Sequence, residues 1–240
     1  MALVSGWDSP ALQWLCAPEC WTPEEGKREG RDGATRREGD QLVIVPAAKK
    51  DLWRLTYYDP PICRDDAACF VAEFPQDQVL SATVHFEVKA KSTFDQGGLI
   101  VRVDADHWVK AGIEVVDGNP RMSVVVTNGF SDWSTAPWPK ASAVLRVNKM
   151  GESLVVEAGE TEESLNFIRI AHLTCSGPRV EGVADGVAGS RAHRAAPEGA
   201  CWVGIFAASP EDQRGCEVIF EKFSIVAGTS FKHEADGNHE

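Results

Sequence analysis

The feature that most limits this chain's fold is a series of short runs in which apolar and polar residues alternate, each closed by a turn-forming cluster. Residues 79–89 set the pattern: Leu80, Ala82, Val84, Phe86 and Val88 share one side. A period of two is that of a strand with one buried face. Similar runs occupy 98–104, 108–116, 121–128, 143–148, 154–157, 167–173, 202–207 and 217–226. Asp117-Gly118-Asn119-Pro120, Asn128-Gly129 and Lys149-Met150-Gly151 punctuate them, each a turn composition. No segment keeps a helical period over three turns. Many short strands at close spacing predict an all-β sandwich or barrel, not a parallel sheet with helices.

Two stretches lack the pattern. Residues 22–41 are nearly free of apolar side chains, and 174–200 are rich in Gly, Ala and Arg, so both are expected to be surface insertions. The expected organisation is one domain over 1–226 and a polar, fraying tail over 227–240.

Charge narrows the partners. Lys and Arg number 24 against 36 Asp and Glu, a formal net charge of −12. Phosphate-rich partners need a basic face, so neither nucleic acid nor an anionic membrane is expected. No apolar run approaches the ~18 residues of a membrane span. The first fifteen residues have no Lys or Arg before their apolar part and are broken by Asp8 and Pro10, unlike a secretory signal. Seven cysteines, an odd number without a C-x-x-C, suit reduced thiols in a cytoplasmic protein. No cofactor or metal is expected; Asp104-Ala105-Asp106-His107 reads as a solvated hairpin loop.

The stretch 93–138 carries the functional signal. In 108–116, Val109, Ala111, Ile113 and Val115 form a core face, leaving Trp108, Lys110, Gly112 and Glu114 on the other. In 121–128, Met122, Val124 and Val126 face the core, leaving Arg121, Ser123, Val125 and Thr127. A tight hairpin centred on Gly118-Asn119 would set Glu114 opposite Ser123, Gly112 opposite Val125 and Lys110 opposite Thr127. Lys110, Glu114, Ser123 and Thr127 then share one sheet face with Trp108 at its end, left open in the middle by Gly112. Ile100 and Arg102 join it only if the connection to the next strand has an odd effective length. A solvated face of charge pairs is the plain reading. A ligand site is the other: Ser131-Asp132-Trp133-Ser134 reads as an adjacent loop, where a short carboxylate and an indole could grip a sugar ring.

Phe94-Asp95-Gln96-Gly97-Gly98-Leu99-Ile100-Val101-Arg102, Trp108 through Glu114, Asp117-Gly118, Ser123 through Thr127 and Ser131-Asp132-Trp133-Ser134 resemble one family. It is the concanavalin A-like domain family of unknown function that includes the yeast "regulation of enolase" protein. Trp14-Leu15, Pro18, Trp21, Asp51 through Tyr58, Arg169-Ile170, Val203-Gly204-Ile205 and Ser209-Pro210 extend the resemblance over about residues 11–226. The resemblance implies a two-sheet antiparallel jelly roll and points to a regulatory role in carbohydrate metabolism, without supplying an activity. This sequence departs from the family at 22–41, at 174–200 and at Tyr58-Asp59-Pro60-Pro61, where the family has Tyr-Gly.

The same architecture hosts glycoside hydrolases, which place carboxylates at alternate positions of one strand. No such run is present: Glu114 stands alone on its strand, and a second acid would come from elsewhere, such as Asp132. A non-catalytic module is therefore expected, binding a carbohydrate or similar polar metabolite through Gln96, Arg102, Trp108, Lys110, Glu114, Ser123, Thr127, Asp132 and Trp133. In that picture Trp133 stacks, Arg102 and Lys110 donate to hydroxyls or a phosphate, and Glu114 accepts. The alternatives are a module acting on a metabolic-enzyme partner, and a glycosidase.

Overall fold

A computed structural model describes residues 1–18, 20–21, 28–29, 35–174, 189–191, 195–211, 216–229 and 231. Two antiparallel sheets face each other: of the sandwich and barrel that alternation allows, the structure is the sandwich, the jelly roll that the family resemblance implies. One runs, in spatial order, Phe130–Pro137, Asn119–Asn128, His107–Val116, Gln96–Arg102, Ala200–Ala208, Ala68–Pro75 and Gln13–Cys16. The other runs Asn166–His172, Ser153–Gly159, Ser142–Met150, Leu80–Lys89, Glu217–Ala227, Gln41–Ile44 and Thr35–Glu38, with Ala2–Ser5 also on the Glu217 strand. Their facing sides bury one core: Leu80, Val84 and Phe86 from one sheet meet Val109, Ile113 and Val124 from the other. Among the described residues, no helix is long and apolar enough to cross a membrane.

The hairpin that positions the site turns earlier than the sequence suggested. Asp117 and Gly118 are its two turn residues, at φ 51° and 76°. Positive φ at both central positions makes a type I′ turn, whose twist matches that of the strands. Val116 therefore pairs with Asn119, and Lys110 lies opposite Val125, Gly112 opposite Ser123 and Glu114 opposite Arg121. The shift is an even one, so every side chain keeps its expected face. Arg102 pairs with Trp108, leaving residues 103–107 as the connection and bringing Gln96, Ile100 and Arg102 onto the Lys110 face.

Three local expectations need correction. Residues 131–134 are not a loop; they belong to the edge strand Phe130–Pro137, which starts directly after the Asn128-Gly129 turn. Residues 104–107 are not solvated: Asp106 and His107 are buried, and the Asp106 carboxylate pairs with Arg54 at 3.0 Å. Gly112 does not open the face. A Cβ on Gly112 would lie 2.1 Å from the Gly97 carbonyl oxygen, and one on Gly98 2.0 Å from that of Ala111. The two strands approach too closely there for any side chain.

Of the expected insertions, Thr35–Glu38 is the edge strand of one sheet, and Gly189–Arg191 runs parallel to Cys63–Asp65. Residues 22–27, 30–34, 175–188 and 192–194, and most of the tail, lie outside the described residues.

Candidate functional site

The outer face of the seven-stranded sheet is roofed. The segment following Asp51 lays a small sheet, Leu52–Arg54 against Cys63–Asp65, across it. Leu52 and Ala67 from this segment join Ile100, Trp108, Val125 and Phe206 from the sheet in a second apolar cluster. Burial of that surface holds the roof down, and polar ties fix its register. Arg102, wholly buried, grips Asp65 with both terminal nitrogens, at 2.7 and 3.0 Å. Arg54 pairs with Asp106, and its backbone N–H donates to the Ser131 hydroxyl at 2.9 Å. Ser131 in turn lies 2.9 Å from the Thr127 hydroxyl.

The expected site residues therefore part company. Lys110, Glu114, Ser123 and Thr127 do share one face, but that face looks into the roof and not into solvent. Arg102, Trp108 and Thr127 are completely buried, their polar groups consumed by Asp65, the Ala105 carbonyl and Ser131. Gln96 is also covered and donates to Asp51 at 3.2 Å. Asp132 falls on the opposite face of its strand from Trp133 and pairs with Arg169 of the other sheet at 3.1 Å.

Lys110, Glu114 and Trp133 remain, and they border a cavity of about 600 Å³ between the sheet and the free end of the roof. Trp53, Tyr58, Phe94 and Trp133 wall it in edge-to-face contact, with Trp53 6.2 Å from Trp133 and 5.9 Å from Tyr58, and Phe94 6.3 Å from Trp133. Lys110 forms part of the floor. Its ammonium donates to Asp51 at 3.0 Å and to the Leu52 carbonyl at 2.7 Å, and sits 5.8 and 5.9 Å from the rings of Trp108 and Phe206. Glu114 forms the rest, reached by a short relay: the Trp133 indole N–H donates to Ser123 at 2.8 Å, and the Ser123 hydroxyl donates to Glu114 Oε2 at 2.7 Å. Burial holds the Glu114 carboxyl above the usual range, against the pull of Lys110 and the Ser123 bond.

The backbone marks the same place. Among the described residues, the non-glycine positions with positive φ are Lys49, Leu55, Tyr57, Phe94 and Asp117. All but Leu55 line the cavity, and Leu55 lies in the roof. Side chains held in left-handed backbone cost about 1–2 kcal/mol each. Their clustering around one space is a recurrent mark of a functional site.

Sequence reasoning missed Asp51, Trp53, Tyr57, Tyr58 and Arg64 as pocket residues. A signal was present: the chain's only two tyrosines stand side by side four and five residues after a tryptophan, just before two prolines. Nothing local tied that aromatic turn to Lys110, which lies more than fifty residues further on.

Residues 31–227 match the family described as "Protein of unknown function (DUF1349)". The chain is 39% identical over 193 residues to "Regulation of enolase protein 1" of Saccharomyces cerevisiae, covering 80% of this chain and 84% of the relative. A solved structure titled as a functionally unknown protein from the same yeast superposes with a TM-score of 0.70 at 26% identity, over 92% of this chain and 98% of that one. The Bacillus licheniformis GH43 protein BlXynB, as a mutant, superposes with a TM-score of 0.58 at 15% identity, over 79% of this chain and 33% of that longer one, a likeness of fold alone. By the extent of its match and its identity to the yeast relative, the chain belongs to the DUF1349 family.

Proposed function

We propose that this protein is a non-catalytic binding module whose roofed pocket takes a small carbohydrate or a similar ring-shaped polar metabolite. The observation that carries the reading is the convergence of five aromatic rings with Lys110 and Glu114 on one concave space of about 600 Å³. Sugars present C–H faces that pack on aromatic rings, while their hydroxyls need donors and acceptors at fixed positions. Trp53 and Trp133 supply the packing surface. Glu114 supplies an acceptor. Lys110, with two of its three N–H groups committed within the chain, keeps one for a ligand. The expected phosphate contact from Arg102 drops out, because Asp65 occupies that guanidinium. The same reading puts the protein in the cytoplasm, where the thiols of Cys63, Cys69 and Cys216 stay reduced.

A thermal-shift screen of mono- and oligosaccharides tests it. A true ligand at 100 times its Kd stabilises the fold by about 2.7 kcal/mol. Trp133→Ala is expected to abolish that shift while the ligand-free melting temperature stays near wild type. A panel in which no sugar moves the transition would sink the reading.

A second reading, a regulatory module acting on an enzyme of carbohydrate metabolism, rests on the name of the yeast relative. Tyr57, 91% exposed at the tip of the roof, offers such a partner an aromatic contact. Titration with enolase would then give binding that survives Trp133→Ala and weakens with Tyr57→Ala.

A further inference from the structure

We infer that the ligand of this pocket brings a protonated amino group to Glu114, so that the class of metabolite taken is an amino sugar or another ring bearing an ammonium. The inference rests on the pocket reading above and sharpens it. Glu114 borders the cavity yet is only 6% exposed. Among the described residues it forms no ion pair. The neighbouring ammonium of Lys110 is engaged by Asp51 and the Leu52 carbonyl instead. Glu114 has the Ser123 hydroxyl on one oxygen, Oε2, and a carboxylate accepts several bonds. A buried carboxylate with no cation in direct contact is costly to keep, and a ligand cation that touches it relieves that cost.

The walls fit the same chemistry. The faces of Trp, Tyr and Phe attract a cation, and five such rings line the space. Four carboxylates, those of Asp51, Glu114, Asp117 and Glu211, line the space against three basic side chains, Lys49, Arg64 and Lys110. Burial first, and then the charges of Asp51, Glu114 and Glu211, hold the Tyr58 hydroxyl above its usual range.

Isothermal titration of the intact protein with glucosamine, glucose and N-acetylglucosamine tests the inference. These probes share a ring and differ in charge. Glucosamine is expected to bind about tenfold tighter than either neutral sugar. Glu114→Gln, which preserves shape, is expected to bring the ratio of glucosamine to glucose affinity down to about one. Glu211→Gln alters an exposed rim charge and so avoids any folding question; it is expected to weaken glucosamine about twofold. Equal binding of all three sugars would overturn the amino-group inference and leave the carbohydrate reading standing. No binding by any of them would overturn both.

Discussion

Glu114 shows at the scale of one residue how burial turns a surface amino acid into a site. Its neighbours are Lys110, Asp51, Ser123 and Trp133, and burial outweighs their net pull, so its carboxyl titrates above the ordinary glutamate value of 4.5. The sign for stability follows. A carboxyl whose folded value exceeds its unfolded value contributes fully below the unfolded value, and that contribution is lost as pH rises through the folded value. Glu114→Gln removes this dependence. In urea denaturation the variant is therefore expected to gain on wild type steadily from about pH 4 upward. A difference that stays flat with pH would mean that the carboxylate is well solvated. Alternation alone placed Lys110, Glu114, Ser123 and Thr127 on one face, because a strand has only two faces. It could not reveal Asp51, whose contact with Lys110 spans 59 residues. Reading 131–134 as a loop also put Asp132 beside Trp133, whereas adjacent strand residues point to opposite sides.

The hairpin shows what an element adds. Asp117-Gly118 was legible as a turn, but its exact register depended on which two residues take positive φ. A Cβ on Gly118 meets nothing within 4 Å, so its requirement is purely one of backbone conformation. Gly118→Ala is accordingly expected to cost about 1–2 kcal/mol in chemical denaturation, with no change in ligand affinity. A cost near zero would mean that the turn relaxes to another type. The edge strand Phe130–Pro137 was misread as a loop because Ser, Asp and Thr dominate it. An edge strand in water keeps its polar side chains, and pairing with Asn119–Asn128 supplies its order.

At the scale of the whole molecule, the sandwich and its roof are separate constructions joined through buried charge. Arg102–Asp65 and Arg54–Asp106 cross the junction. Removing one member of a buried pair strands the other, at about 3–5 kcal/mol. Asp65→Ala is expected to lose that much stability, and hydrogen exchange should quicken first in 52–66 while strands such as Leu80–Lys89 stay protected. Uniform loss of protection in both regions would show that roof and sandwich unfold as one unit. The amino-acid sequence by itself determined the all-β class, most of the strands and the faces of their side chains, because these follow from a two-residue period and local turn chemistry. Only the tertiary structure decided that the polar face is covered, which charges neutralise one another, and where an aromatic-walled space remains. Those outcomes depend on contacts between segments tens of residues apart, whose favourable geometry appears only when the roof docks on a formed sheet.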